Sequence, residues 1–349
     1  MGMMTHRPRR RPLALAALAL LLGACATAST PETARPPGAA EPSRPGPRPA
    51  AYESEDFVVT FAQPGDTPAT LAARYLGGAD RAWMIEDYTG LQAFSPGQEV
   101  VIPRRPWDLS GVTPGGYQIV PILTYHNLGD QAKGRLVLAA ASFREQMQYL
   151  KTNGYRVVSL ADFIEFTHLG RQLPQKAVVL TFDDGYRSFK DFAYPVLKDL
   201  GFTATLFIYT DWVGAGRGAL SWNDLRELSA AGFDVQAHTK SHADLRRAHG
   251  ETEAQYTRRM QAELEQPQEL FNKNLGRRSQ ILAYPYGRWE EGLLPKVQQY
   301  GYVAAFSVRR QGNASFVRPL AAHRSQIYSE MTLDDFVKNL NVYQEENLR

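Results

Sequence analysis

The chain has 349 residues, with 39 Lys and Arg against 36 Asp and Glu, and a formal charge of +3. Arg7, Arg9, Arg10 and Arg11 hold much of that excess at the N-terminus, so the rest is close to neutral and offers no basic footprint for nucleic acid. A single cysteine excludes an intrachain disulfide and any cysteine-built metal site.

The first residues read as an address. After the arginines comes Leu13–Leu22, LALAALALLL, which is too short to span a bilayer but fits the apolar core of a secretion signal. Leu22-Gly23-Ala24-Cys25 follows. This run resembles the bacterial lipoprotein cleavage box, in which the cysteine is lipidated; a signal peptide with a chance cysteine is the plainer reading. The resemblance implies a signal peptide over 1–24 and a membrane anchor at Cys25. It also implies a place in the bacterial cell envelope, at the outer membrane or periplasmic face. Residues 25–55 are rich in Pro and Ala, cannot bury enough apolar area to fold, and are expected to be a disordered tether.

Residues 56–104 form a small unit. Phe57-Val58-Val59-Thr60-Phe61 alternates as a strand, Thr70–Tyr75 and the stretch around Trp83, Ile85 and Tyr88 suggest two helices, and Glu99–Ile102 closes as a strand. A β-α-α-β spacer would satisfy this pattern. The stretches GDTPATLAARY and PGQEVVIP resemble a LysM domain, which implies binding to glycans containing N-acetylglucosamine. The chain departs from that family at Gly90-Leu91, where an asparagine is usual shortly before the leucine.

A linker over 105–117 leads to a larger domain at 118–345. Strands are expected at 119–125, 155–158, 177–182, 203–208, 233–237, 280–284 and 302–306. Helices are expected at 142–150, 160–166, 189–200, 222–231, 256–271, 293–299 and 333–342. Alternation at this spacing predicts an α/β fold with a parallel sheet wrapped by helices, whose chemistry sits just after the strands.

Two strands end in suggestive sequences. The first runs into Thr181-Phe182-Asp183-Asp184-Gly185, where adjacent carboxylates repel unless a cation or solvent compensates. The second runs into His238-Thr239-Lys240-Ser241-His242. Asp184 with both imidazoles would give three ligands and an open position, the layout of a catalytic zinc site. A solvated turn and a polar loop are the plain alternatives.

TFDDG at 181–185, HTKSH at 238–242 and YPYG at 284–287 resemble the three motifs of the polysaccharide deacetylases with NodB homology, carbohydrate esterase family 4. The likeness covers roughly 118–343 and implies an irregular (β/α) barrel that removes acetyl groups from N-acetylated sugars. By that resemblance Asp183 is the general base and Asp184, His238 and His242 hold a divalent metal, zinc before cobalt or nickel. The backbone N–H of Tyr286 steadies the oxyanion. The family's late LxH histidine is matched only out of register by Leu320-Ala321-Ala322-His323. Pro121–His126 resembles instead the opening motif of the circularly permuted branch that deacetylates poly-N-acetylglucosamine, which makes His126 the general acid. A family arginine that orients the base is replaced by Ala283; Arg288 is a conceivable substitute, and the orienting group is left unassigned. Trp222 and Trp289 either stack on sugars or pack.

The expected activity is metal-dependent hydrolytic N-deacetylation of a cell-envelope or exported glycan, by a monomer tethered to the membrane through Cys25. An O-acetyl esterase and a catalytically silent glycan-binding lipoprotein are the competing readings. The LysM-like unit points to peptidoglycan and the opening histidine to a poly-N-acetylglucosamine-like polymer.

Overall fold

The computed structural model describes residues 50–348, so the apolar run, Cys25 and most of the expected tether lie outside the described residues. None of the described helices is long and apolar enough to cross a membrane.

Strands β1 (Ala51–Glu53), β2 (Phe57–Phe61) and β3 (Glu99–Pro103) form an antiparallel sheet in that order. β1 is a correction, since the tether was expected to reach residue 55; Ala51 and Tyr52 pair with Thr60 and Val59. Helix α1 (Pro68–Tyr75) starts on a capping box between Thr67 and Thr70, with Pro68 where a missing N–H costs nothing. Helix α2 (Ala82–Thr89) ends on Gly90 in the left-handed region. Val58, Leu71, Ile85, Val100 and Ile102 make the buried core of this unit. Glu86 pairs with Arg156, and Asp87 accepts the Gln175 N–H at 2.9 Å, which fastens the unit to the larger domain.

The larger domain is built on one eight-stranded sheet. Its strands are β4 (Ile122–Tyr125), β5 (Arg156–Val157), β6 (Ala177–Asp184), β7 (Thr205–Ile208), β8 (Asp234–Ala237), β9 (Ile281–Ala283), β10 (Ala304–Phe306) and β11 (Ser325–Gln326). They run β10-β9-β8-β7-β6-β4-β11, with β5 on the start of β6, and every pair is parallel. A bridge between Phe306 and Ala322 brings the two edges together, so the sheet curls into an irregular barrel.

Helices α3 (Ala140–Thr152), α4 (Leu160–Thr167), α5 (Tyr194–Leu200), α6 (Trp222–Ala230), α7 (Glu253–Met260), α8 (Gln266–Leu275), α9 (Leu294–Gln299) and α10 (Leu333–Val337) alternate with the strands. Ser159 and Ser221 cap α4 and α6, each accepting the N–H of the residue three positions on. Two helices whose expected spans contain a proline accommodate it by one device. A π-turn at 189–193 precedes α5 and one at 261–265 precedes α8, which puts Pro195 and Pro267 in a first turn. The last helix stops at Val337 instead of 342, because the chain turns to lay Tyr343–Glu345 antiparallel on Gly116–Gln118.

Strand parity decides which residues reach the interior. Val178, Leu180 and Phe182 pack with Phe143, Met147 and Leu197 from the helices. Ala177 and Val179 join Ile122, Phe207, Ala283 and Phe306 in a second cluster inside the barrel. Continued along each strand, the inward parity passes through Thr181 to Asp183, through Thr124 to His126, and through Gln236 to His238. Thr124 and Thr181, register partners on the neighbouring strands β4 and β6, touch side by side at 3.1 Å.

Candidate metal centre and active site

β6 extends two residues further than expected and carries both carboxylates. Asp183 keeps the inward parity and is 2% exposed. Asp184 would point outward, but its backbone adopts φ +74°, which swings its carboxylate round to the histidine loop. Gly185 follows at φ +85°, and a Cβ there would meet Ile208 Cδ1 at 3.0 Å, so the turn needs glycine.

The segment after β8 is a loop and not a helical turn. Thr239 and His242 both have positive φ, so four of the five non-glycine residues in that region among the described residues (Asp184, Thr239, His242, Tyr286) lie at this site. The buried Glu263, on the π-turn before α8, ties the loop down. It accepts the N–H groups of Lys240 and Ser241 at 3.1 and 2.9 Å and the Ser241 hydroxyl at 2.6 Å.

Asp184, His238 and His242 offer ligand atoms that all lie within 4.8 Å of one another. The Nε2 atoms of His238 and His242 stand 3.7 and 3.5 Å from Asp184 Oδ1. That oxygen is buried without a hydrogen-bond partner. His238 Nδ1 donates to the Ala283 carbonyl at 2.7 Å, which fixes its tautomer and leaves Nε2 as a lone pair facing the cluster. Burial, with the Asp183 charge beside it, pushes the Asp184 carboxyl up to about 7. Burial takes His238 down to about 3, although Asp183 pulls the other way. An orphaned buried oxygen and two imidazoles aimed at one point fit a divalent cation, which would replace the protons that this cluster otherwise holds.

Asp183 is held differently. Arg324, 0% exposed, grips it with two hydrogen bonds, Nη1 to Oδ1 at 2.7 Å and Nη2 to Oδ2 at 2.8 Å. Arg324 also donates to the Ser307 carbonyl at 3.1 Å and the Thr181 hydroxyl at 3.3 Å. Burial alone would raise the Asp183 carboxyl; the guanidinium and His238 outweigh it and bring it to about 2. The group that orients Asp183 is therefore Arg324, just before β11 and five strands away in sheet order from the position that Ala283 occupies. Arg288 lies 57% exposed and reaches toward Asp244.

His126 directly follows β4 and keeps its inward parity. Its Nε2 sits 3.4 Å from Gln326 Nε2, and the Gln326 oxygen accepts from the Tyr328 hydroxyl at 2.9 Å. The amide therefore donates to Nε2, which leaves the imidazole proton on Nδ1, a buried atom without a partner in the protein. Burial lowers His126, and Asp183 opposes it. His323 is elsewhere: it lines a separate cavity with Tyr117 and Phe316. Tyr286 sits in a left-handed turn at φ 59°, its ring 4.6 Å from that of His242. Gly287 beside it could not carry a Cβ, which would lie 2.5 Å from the Val308 nitrogen. Tyr209 packs on His242 at 5.4 Å and stacks on Trp212, so aromatic rings line one side of the cluster. Trp222 packs edge-on against Phe271 and Trp289 lies under Arg318, so both are packing residues.

Residues 170–305 match the family model described as polysaccharide deacetylase. YxkH of Bacillus subtilis (strain 168), named for a polysaccharide deacetylase, is 30% identical over 183 residues, 52% of this chain and 62% of YxkH. The poly-beta-1,6-N-acetyl-D-glucosamine N-deacetylase of Escherichia coli (strain K12) is 24% identical over 294 residues, 73% of this chain and 42% of the enzyme. The match thus spans less than two thirds of either relative. A crystal structure from Bacillus anthracis, titled for a polysaccharide deacetylase, superposes with a TM-score of 0.55 at 26% identity, covering 72% of this chain and 74% of that one. Over the matched residues the chain is thus similar to the polysaccharide deacetylases.

Proposed function

We propose that this chain, a polysaccharide deacetylase by family, removes acetyl groups hydrolytically from the N-acetylglucosamine units of a cell-envelope or exported polymer. The observation that carries this reading is the pairing of two unlike carboxylates. Asp184 belongs to a three-ligand cluster, and one residue away Asp183 is kept ionised by Arg324. The relatives named for poly-β-1,6-N-acetylglucosamine N-deacetylation favour that polymer class.

Asp184, His238 and His242 would hold a divalent cation, zinc the first choice, which would supply Lewis acidity and lower the pKa of a water. Asp183 accepts the proton of the attacking water, and Arg324 fixes both carboxylate oxygens so that no reorientation is needed at that moment. The Tyr286 N–H is the donor offered to the developing oxyanion. The departing amine needs a proton, and His126 is the group placed to give it. The aromatic wall of Tyr209, Trp212 and Tyr286 excludes water from one side.

The small domain is read as a LysM module that holds the chain on glycan, and Cys25 as a lipidated anchor in the envelope. Acetate release from N-acetylglucosamine oligomers, measured beside release from O-acetylated xylan, tests the reaction. Release from xylan alone would make the enzyme an esterase.

A further inference from the structure

His323 belongs to no part of the active centre, and its surroundings have a chemistry of their own. The imidazole forms part of the wall of a cavity of about 270 Å³, together with Tyr117, Gln311, Phe316, Arg318 and Gln344. Phe316 is 65% exposed, the most exposed large hydrophobic side chain among the described residues. The next, Tyr286 at 58%, stands beside the metal centre. Tyr117 meets Phe316 edge to face at 5.0 Å, so the ring is braced in place. A single exposed ring is ordinary on a surface; one braced at the mouth of a cavity offers a flat apolar face to whatever enters.

The polar side of the cavity is equally fixed. Asn313, fully buried, accepts the His323 N–H at 2.8 Å and donates to the His323 carbonyl at 2.9 Å. The imidazole itself makes no hydrogen bond to the protein, and its Nδ1 is buried. Burial and the nearby Arg309 lower its pKa, and with Nδ1 buried the ring has only Nε2 to offer a ligand. Arg318 is neutralised by Glu291 through two bonds of 2.8 Å. An exposed aromatic face beside the polar side chains of Gln311, His323 and Gln344 matches a pyranose: C–H groups on one face and hydroxyls at the rim. The volume lies just under the roughly 300 Å³ at which drug-sized sites begin, which suits a single ring.

We infer that this cavity is a second glycan-binding site, which takes one pyranose unit of the polymer outside the active centre. The inference rests on the proposed function for the identity of the polymer. A second contact on one long chain makes binding at the first intramolecular, so long polymer is held where short oligomer is not. Arg324, the next residue, grips Asp183, so the two sites flank one rigid segment.

Hydroxyl-radical footprinting of the full, metal-loaded chain with an N-acetylglucosamine hexamer tests this. Labelling of Phe316 and Tyr117 is expected to fall on saturation, and to fall equally in a His242→Ala chain whose metal centre is disabled. Phe316→Ala is expected to raise the hexamer concentration that protects Tyr117 by about tenfold, the worth of one good aromatic contact. Unchanged labelling of Phe316 and Tyr117, at a concentration that protects Tyr286, overturns the second site and leaves the proposed function standing. Protection of Phe316 without any acetate release from the hexamer supports the second site and overturns the deacetylase reading instead.

Discussion

Arg324 and Asp183 form a doubly hydrogen-bonded pair at 2.7 and 2.8 Å, both at most 2% exposed, at the centre of the barrel. Such a pair adds little net stability compared with an apolar substitute, but losing one partner strands a charge. Arg324→Met is therefore expected to destabilise the chain by about 3–5 kcal/mol in denaturant unfolding. Arg324→Lys keeps the charge without the fork; it is expected to retain metal while kcat falls by roughly 10²-fold through misplacement of the base. The acid limb of its pH–rate profile should move upward, since less holds Asp183 ionised. For the wild type the sign is fixed by a folded value of about 2 against an ordinary 3.8. The stability that the pair contributes is complete above the ordinary value and is lost as pH falls through the folded one. A wild-type acid limb in Arg324→Lys would remove the positioning role.

Asp184 gives the opposite sign. Its folded value of about 7 lies above 3.8, so the metal-free folded chain binds the extra proton and loses stability as pH rises through that interval. Asp184→Asn is expected to raise the Tm of the metal-free chain at pH 8 and leave it unchanged at pH 4, while abolishing metal binding. Asp183→Asn is expected to keep the metal and lose activity. Equal metal loss in both variants, read by elemental analysis, would show that base and ligand are wrongly divided.

Much of this centre was legible before the fold was known, because strand parity and short motifs act locally. Asp183, Asp184, His238 and His242 follow directly from strands whose apolar runs are plain in the sequence. Arg324 was not legible, because its partner is 141 residues away and the pairing exists only once the sheet edges meet. Attention to LAAHR as a displaced histidine motif fell on His323, one residue short of the group that acts. Glu263 was hidden for a related reason: it reaches the histidine loop from a π-turn, and a period of 3.6 does not foresee that turn. The end of the last helix was missed because strand pairing at Tyr343–Glu345 overrode a helical pattern.

The small domain should be separable from chemistry but not from targeting. Deletion of residues 57–103 is expected to leave turnover of soluble oligomer almost intact, because every proposed catalytic residue lies downstream. It removes the Glu86–Arg156 and Asp87–Gln175 contacts, both on the surface where the domains meet, so a small fall in Tm is expected. Pull-down by insoluble peptidoglycan is expected to drop. Undiminished pull-down would leave the LysM reading without support. Cys25→Ser is expected to move the chain from the membrane fraction to the soluble one.

The assignment of the proton donor to the leaving amine separates His126 from His323. His126 directly follows a buried strand, shares the interior with Asp183, and has its tautomer set by Gln326 and Tyr328. His126→Ala is expected to keep its metal and lose roughly 10²–10⁴ in rate on an N-acetylated oligomer, the usual worth of positioned acid–base catalysis. The loss on an ester should be smaller, because an alkoxide leaves more readily than an amide nitrogen. Gln326→Leu removes the donor that holds the tautomer and should lower kcat by a lesser factor, with KM little changed. His323 faces the cavity shared with Phe316, so His323→Ala should turn over a trimer, too short to bridge two sites, nearly as the wild type does. The informative measurement is kcat for all three variants on the same trimer, with metal content checked in each. A crippled His323→Ala beside a fully active His126→Ala would move the acid to the late histidine, and the permuted arrangement would have to be abandoned.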